Sequence, residues 1–342
     1  MYSFCHSDYL AIRTAPEILQ LTFDSDVPID YYQILERTVS NFFDTENTLL
    51  FPDGYFAMVA MIRNLIRDTD TILVVSDGYG AISDSLEIIQ RQAPNAIIKS
   101  LTAHSFEELS PRTSRVVLLA AGVSETTCQI APVDKWSESL TELWEKRRIP
   151  SVLLLDDSHG VGLLGPNHRG TLDFFGLPAN QFPTDVGVQY YFSGSFSEAF
   201  GSYGGLLAGE RKWLRGIRKT EPSCCRHQIP ISTLVATTKA MELAGNERRH
   251  EQLMQNIQYL HQIFKRYRIP FTGNPALPFI LVKSPQPQEL IQVLEYAGFR
   301  IGLTRFTKKP QLRIVINPNH SALEIEQLAK KLVEEMENLK NS

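Results

Sequence analysis

Residues 151–155 (SVLLL) constrain the fold of this chain more than any other stretch. The run is apolar without interruption and lies between Pro150 and Asp156, so it predicts a strand that is covered on both faces. Weaker apolar runs predict further strands at 48–51, 71–75, 96–101 and 115–121, and amphipathic stretches predict helices at 30–43, 55–66, 81–90 and 133–146. Strands that alternate with helices in this way are typical of an α/β protein whose mostly parallel sheet has helices on both sides.

The pattern changes after residue 209. A polar, basic connector is predicted at 210–226, and a long helical segment at 232–267. Further strands are predicted at 279–283, 299–303 and 311–316, and further helices at 287–297 and 320–339. We therefore expect a short, mixed N-terminal segment over 1–29, a large domain over 30–239 and a small α+β domain over 240–342.

Composition excludes several classes of partner. The 342 residues carry a formal net charge of -4 from interspersed charges of both signs, which argues against nucleic acid or an anionic membrane. The four cysteines lack metal-ligand spacing, and the N-terminus has neither a charged leader nor an apolar h-region. No apolar run is long enough to span a bilayer. These features predict a cytoplasmic protein with reduced thiols, no metal site and no membrane span.

Residues 156–160 (DDSHG) follow directly after the predicted central strand. At the carboxyl end of a strand, where α/β proteins place ligands, Asp156 and His159 are spaced to contact two edges of one aromatic ring. A carboxylate in a partly dry pocket favours the protonated form of a facing heteroaromatic nitrogen, which keeps a pyridine ring electron-withdrawing. The alternatives at this point are an Asx-type turn at Asp156 and Asp157, and a hydrogen-bonded core histidine.

The longer string 156–170 (DDSHGVGLLGPNHRG) resembles the signature of the α-oxoamine synthases. These are enzymes of fold type I that use pyridoxal phosphate (PLP) to condense an amino acid with an acyl thioester, with loss of carbon dioxide. The resemblance extends over most of the chain. It implies the PLP-dependent transferase fold of the aminotransferase class I/II type, with a mostly parallel, seven-stranded sheet in the large domain. It also implies a dimer whose cofactor sites lie at the subunit interface.

Several residues correspond to cofactor-binding positions of that family. Asp156 and His159 match the partners of the pyridine nitrogen and the ring oxygen. Gly54 and Tyr55 resemble the start of the helix at the cofactor phosphate. The turn at 52–54 alone also predicts a capped structural helix.

Three more cofactor positions lie elsewhere in the chain. Tyr79 replaces the histidine that stacks on the cofactor ring, and a tyrosine can still stack. Ser195 matches a hydroxyl position beside the phosphate, and Ser232 lies in a stretch that reaches the phosphate of the neighbouring subunit's cofactor.

The substrate side of the site resembles the family with two changes. Arg313 corresponds to the strand arginine that grips the substrate carboxylate, and the alternative is an ordinary surface-strand arginine. Residues 120–125 (AAGVSE) correspond to a stretch that lines the site, with Ala121 in place of its acidic residue and Glu125 in place of its serine. Both substitutions alter the chemistry at the cofactor face.

The stretch 188–209 predicts two strands joined by a tight connection. Within it, residues 195–201 (SFSEAFG) match the family's Thr-Phe-Ser-Lys-Ala-Phe-Gly without a gap, so Glu198 stands where the family has its Schiff-base lysine. A carboxylate cannot form a Schiff base, and it adds negative charge beside Asp156. Lys212 and Lys219 lie beyond the second strand and are not expected to replace that lysine.

The family's Gly-rich N-terminal region is also largely absent, because only a short spacer separates residues 7–10 (SDYL) from the helix at 30.

These observations favour an α-oxoamine-synthase-like protein that is catalytically altered or inactive. It would bind PLP or pyridoxamine phosphate (PMP) non-covalently, with Glu198 paired to the PMP amine; Glu198 and His159 are the candidate catalytic residues. One alternative is a non-catalytic partner subunit of a lysine-bearing paralogue, in a hetero-oligomer rather than a homodimer. Another is an active acyltransferase that uses a different base on an amino acid and an acyl thioester. A nucleotide or metabolite binder remains a third class.

Overall fold

The computed structural model describes residues 1–5, 7–21, 30–75, 80–177, 187–220, 229–304 and 309–341. The strands are β1 (Tyr2–Phe4), β2 (Asn47–Phe51), β3 (Thr71–Val74), β4 (Ile97–Ser100), β5 (Val116–Ala121), β6 (Val123–Ser124), β7 (Gln129–Ile130), β8 (Ser151–Asp156), β9 (Val188–Ser195), β10 (Gly205–Gly209), β11 (Phe271–Gly273), β12 (Phe279–Val282), β13 (Phe299–Leu303) and β14 (Leu312–Val315). The helices are α1 (Pro16–Leu19), α2 (Tyr31–Phe43), α3 (Gly54–Leu65), α4 (Gly80–Gln92), α5 (Val133–Arg147), α6 (Thr171–Phe174), α7 (Arg211–Thr220), α8 (Ile231–Ala244), α9 (Glu247–Arg266), α10 (Pro287–Tyr296) and α11 (Ala322–Asn341).

A seven-stranded sheet with the order β2-β10-β9-β8-β5-β3-β4 forms the larger half of the chain. β10 is antiparallel to both of its neighbours, and the other pairs in this sheet are parallel. β5 and β8 are buried along their full length, as expected of apolar runs covered on both faces. The predicted α/β class and the mostly parallel, seven-stranded sheet are confirmed.

Helices cover both faces of this sheet and leave one edge for the site. α3, α4 and α7 contribute to one apolar cluster, and α2, α5 and α8 contribute to the other. The register places Ala121 opposite Asp156, and Asp156 opposite Ser193. Since parallel strands bring their carboxyl ends to one edge, the loops after β5, β8 and β9 begin side by side.

Two predicted segments differ from the structure. The predicted connector at 210–226 contains α7, which buries Leu214 and Ile217. The predicted helix at 232–267 is divided into α8 and α9, because the side chain of Asn246 accepts a hydrogen bond from the Arg248 N–H and begins a new helix.

The smaller half is a five-stranded sheet with the order β1-β13-β14-β12-β11. Its C-terminal strands confirm the runs predicted at 279–283, 299–303 and 311–316. The N-terminal β1 joins this sheet, where it pairs in parallel with β13. The proposed division at 1–29, 30–239 and 240–342 stays a prediction; its second boundary falls within α8, which packs on α2.

Two further features of the described residues bear on the expectations from composition. Cys5 and Cys128 are free thiols, while Cys224 and Cys225 lie outside the described residues. Across the ranges that the structure describes, no helix is both long and apolar enough to cross a membrane.

Candidate functional site

The loop after β8 is fixed by the carboxylate of Asp157. Both of its oxygens accept hydrogen bonds from Thr171, from the hydroxyl and from the backbone N–H, each at 2.6 Å. A Cβ atom at Gly122, Gly160 or Gly170 would overlap this carboxylate, so the backbone closes tightly around it. Burial raises the pKa of Asp157 to about 7, against the opposing effect of the Thr171 hydrogen bonds. Asp157 therefore fixes the loop that places Asp156 and His159 at the carboxyl edge of the sheet.

Asp156 is buried at the end of β8. Its Oδ1 accepts hydrogen bonds from the Ser158 hydroxyl at 2.6 Å and from the Ser158 N–H at 3.1 Å. The second bond is the Asx-type turn given above as an alternative, and it coexists with a carboxylate at the carboxyl edge of the sheet.

The start of α3 lies against this loop and against β9. The side chain of Asp53 caps the helix by accepting from the Phe56 N–H at 2.9 Å. A Cβ at Gly54 would lie 3.0 Å from Ser195 Cβ and 3.1 Å from Ser158 Oγ, so a side chain there would crowd both. The structure thus brings Gly54 and Ser195 together, and the capped-helix alternative is also realised.

Glu198 connects Ser195, beside the start of α3, to a second group of polar side chains around His159. The Ser195 and Ser197 hydroxyls are 2.8 Å apart, and Ser197 Oγ donates to Glu198 Oε1 at 3.0 Å. Glu198 Oε2 lies 3.4 Å from His159 Nδ1. The Glu198 side chain is 17 % exposed, and its Oε2 has no hydrogen-bond partner among the described residues. The Glu198 carboxylate therefore points into the site.

Tyr9 is a site residue that the sequence interpretation did not name. Its hydroxyl lies 2.8 Å from His159 Nδ1 and accepts from Arg313 Nη2 at 2.9 Å, while its backbone N–H donates to the Glu198 carbonyl at 3.0 Å. Burial raises the pKa of Tyr9 well above its ordinary value, so the phenol stays neutral. The signal was present in the sequence, because Tyr9 lies in the matched segment 7–10.

Arg313 is buried, which excludes the surface-strand alternative. Its Nη1 donates to Ser7 Oγ at 3.2 Å, and its Cζ lies 4.8 Å from the centroid of the Phe279 ring. Its Nη2 lies 3.0 Å from Glu125 Oε1. Glu125 Oε1 in turn lies 3.2 Å from His159 Nε2, so both ring nitrogens of this histidine face acidic or hydroxyl groups.

If the imidazole of His159 is taken as neutral, the hydrogen-bond donors of this cluster can be assigned consistently. Arg313 can only donate, so the Tyr9 oxygen accepts from it and the Tyr9 hydrogen points to His159 Nδ1. The Nε2–H of His159 then donates to Glu125. This arrangement leaves Glu198 Oε2 as an acceptor without a donor in the described chain.

Comparisons with known proteins agree with this arrangement of strands and loops. A putative 8-amino-7-oxononanoate synthase from Methanocaldococcus jannaschii is 25% identical over 356 aligned residues, covering 97% of this chain and 90% of that protein. A structure of SPT with a PLP internal aldimine has a TM-score of 0.80 at 18% identity, with 99% of this chain and 88% of that chain covered. An 8-amino-7-oxononanoate synthase structure from Francisella tularensis has a TM-score of 0.77 at 17% identity, with 99% of both chains covered. No protein-family model matches the chain.

Over nearly its whole length the chain is therefore similar to 8-amino-7-oxononanoate synthases, which agrees with the resemblance to the α-oxoamine synthases. Its fold is that of the PLP-dependent transferases. The chain carries a cavity of about 880 Å³ between its two sheets, and His159, Glu198, Glu125 and Arg313 line it. None of the described residues that line this cavity is a lysine.

Other residues matched to the α-oxoamine synthases lie elsewhere. Tyr55 is 37 % exposed and lines a separate surface cavity of about 220 Å³ with Asp84 and Arg91. Ser232 is exposed in the first turn of α8. Tyr79 lies outside the described residues. Lys212 and Lys219 are exposed on α7 and line a different surface cavity.

Proposed function

We propose that this chain is an α-oxoamine-synthase-like protein that binds PMP, or PLP, non-covalently and does not use the family's lysine-based condensation. The observation that carries the proposal is the position of Glu198. Its carboxylate, which the sequence match puts at the family's lysine position, faces His159 at 3.4 Å and keeps one buried oxygen without a donor in the described chain.

The residues present fit a pyridine phosphate. The crowded approach of Gly54 to Ser195 and Ser158 forms a cradle at a helix start, where N–H groups bind phosphate. In this proposal Gly54 and Ser195 hold the phosphate, Asp156 holds the pyridine nitrogen, and His159 holds the ring oxygen. When bound, the group supplies an electron-withdrawing ring.

The amine form of the cofactor fits Glu198 better than the aldehyde form. A protonated amine donates up to three hydrogen bonds, and a carboxylate is a strong acceptor for such a charged donor. An aldehyde has no hydrogen to donate, so Glu198 Oε2 would remain without a hydrogen-bond donor beside it. We therefore expect PMP to bind more tightly than PLP.

The test is a titration of the purified chain with PMP and with PLP, followed by calorimetry and visible absorbance. We expect PMP to bind, PLP to give no Schiff-base band, and Glu198→Gln to weaken PMP binding by about tenfold. Glu198→Lys is expected to acquire the Schiff-base band with PLP. Glu295→Lys, which places a lysine in the same cavity, is the matched control and is expected not to.

Two results would contradict the proposal. The absence of both heat and spectral change with PMP would exclude cofactor binding. Release of thiol from an acyl thioester in the presence of an amino acid, by the unmodified chain, would instead support the active acyltransferase.

A further inference from the structure

Arg313, the residue matched to the family's carboxylate-binding arginine, already holds a carboxylate from its own chain. Glu125 Oε1 lies 3.0 Å from Arg313 Nη2 and 3.2 Å from His159 Nε2. The other contacts of the guanidinium are with Tyr9, Ser7 and the face of Phe279.

We propose that Glu125 is the specificity-determining residue of this cavity. Its carboxylate occupies the place that a ligand carboxylate would take on Arg313, so the site accepts primary amines that lack a carboxylate and rejects α-amino carboxylates. This inference rests on the proposed function, because it names the class of ligand that the same site takes.

Displacing Glu125 is costly because Glu125 would give up its ion pair with the buried Arg313. A ligand carboxylate that took Arg313 would leave Glu125 without that guanidinium and facing Glu198 across His159. Removing one partner from a partly buried ion pair leaves a charge without compensation, which is the expensive outcome for such pairs.

The charge of the inner cavity favours an amine. Arg313 lies against Glu125, whereas Glu198 Oε2 has no hydrogen-bond partner among the described residues, so Glu198 is the acceptor left for the amine of a ligand. The other cations that line the cavity have their own partners. Arg300 Nε lies 3.3 Å from Glu295, and the charge of Arg13 acts on Asp8, where it opposes the rise in the pKa of that carboxyl.

Two stable probes that differ by one carboxylate test this inference. They are the reduced conjugates of PLP with ethylamine and with L-alanine, and calorimetry measures their dissociation constants. We expect the wild-type chain to bind the ethylamine conjugate at least about tenfold more tightly than the alanine conjugate. Equal binding, or tighter binding of the alanine conjugate, would overturn the inference.

Glu125→Ser frees Arg313 and is expected to reverse this preference. In Glu125→Ser combined with Arg313→Met, the gain for the alanine conjugate is expected to disappear, because the arginine that receives the carboxylate is gone. A reversal that persists without Arg313 would show that Glu125 acts by another route, and would also overturn the inference.

A second measurement needs no cofactor and keeps the two proposals separate. If neither PMP nor the conjugates bind, the proposed function fails, and the role of Glu125 is decided by rescue of Glu125→Ala with sodium acetate. We expect acetate to raise its melting temperature by on the order of 2 °C relative to sodium chloride at equal ionic strength. The wild type and the Glu125→Ala, Arg313→Met double variant are expected not to respond. Absence of rescue in Glu125→Ala would overturn the inference; Glu125→Ser replaces this variant if it does not fold.

Discussion

Tyr9 joins two groups from distant parts of the chain through a single hydroxyl. It contacts Arg313 and His159 in a fully buried position. Tyr9→Phe removes one hydrogen-bond partner from each of these groups, so we expect a loss of about 1–3 kcal/mol in the free energy of unfolding. Urea denaturation measures this loss.

The matched control for this change is Tyr296→Phe. Tyr296 is 93% exposed, so removal of its hydroxyl is expected to leave the unfolding free energy unchanged. A Tyr9→Phe variant as stable as this control would show that the Tyr9 hydroxyl contributes no net stability.

The sequence predicts some of the residues of the site, but it does not predict the contacts between them. Asp156, His159 and Glu198 were placed by continuous motifs, because each motif lies at the end of a single strand. The contact between Glu125 and Arg313 joins the turn after β6 to a strand of the smaller half, β14. Local sequence periodicity cannot predict a contact between residues so far apart in the chain. Tyr9 was overlooked for the same reason, since its partners lie 150 or more positions away.

At the scale of elements, α7 is the helix that the sequence pattern concealed. Its ten residues (RKWLRGIRKT) include five basic ones and a central glycine, a composition typical of a solvated connector. A Cβ at Gly216 would meet nothing within 4 Å. Gly216→Ala is therefore expected to raise the free energy of unfolding by about 0.5–1 kcal/mol, because alanine loses less backbone entropy on folding. Urea or thermal denaturation checks the sign.

The same substitution in β10 is expected to have the opposite effect. A Cβ at Gly205 would overlap the backbone of Asp53 and Gly54, where the strand passes the start of α3. We expect Gly205→Ala to lower the free energy of unfolding by about 2 kcal/mol or more, because backbone atoms cannot rotate away as a side chain can. An unchanged free energy of unfolding in the same denaturation experiment would contradict this close approach.

Element length explains which parts of the fold could be predicted. The long strands and helices of the large sheet extend over enough residues to show a period. β1, β6, β7 and β11 have only two or three residues each, too few to show alternation, and they were not predicted. The break between α8 and α9 depends on the cap at Asn246, a single polar side chain within an otherwise helical stretch.

At the scale of the whole molecule, two histidines stack where the loop after β8 meets α9. The rings of His168 and His250 lie 3.5 Å apart between centroids, and His250 Nε2 lies 2.8 Å from the Ala244 carbonyl. Burial, and then the nearby His168, lower the pKa of His250 from 6.5 to about 4. This contact between the two halves therefore depends on neutral imidazole.

This histidine makes stability depend on pH in a defined direction. As the pH falls from 6.5 towards 4, the unfolded chain binds this proton before the folded chain does, so stability is lost. We expect this residue to account for a loss of up to about 3 kcal/mol between pH 7 and pH 4. Urea denaturation at both values should show a smaller loss for His250→Gln than for the wild type.

The control for the pH series is His104→Gln. His104 is an exposed surface histidine, so its removal is expected to leave the pH dependence as it is in the wild type. If His250→Gln and His104→Gln gave the same pH dependence, the titration of His250 would not be coupled to unfolding.

The described N-terminal residues, 1–5 and 7–13, link the two halves of the chain. β1 is anchored to the small sheet through β13, while Tyr9 bonds the Glu198 carbonyl, and Asp8 accepts from the N–H groups of Ile12 and Arg13 beside the following loop. The N-terminal segment thus contacts both halves of the chain. Widening the cavity by separating the two sheets would have to break some of these contacts, so it would also disturb the loop that carries the carboxylate at 198.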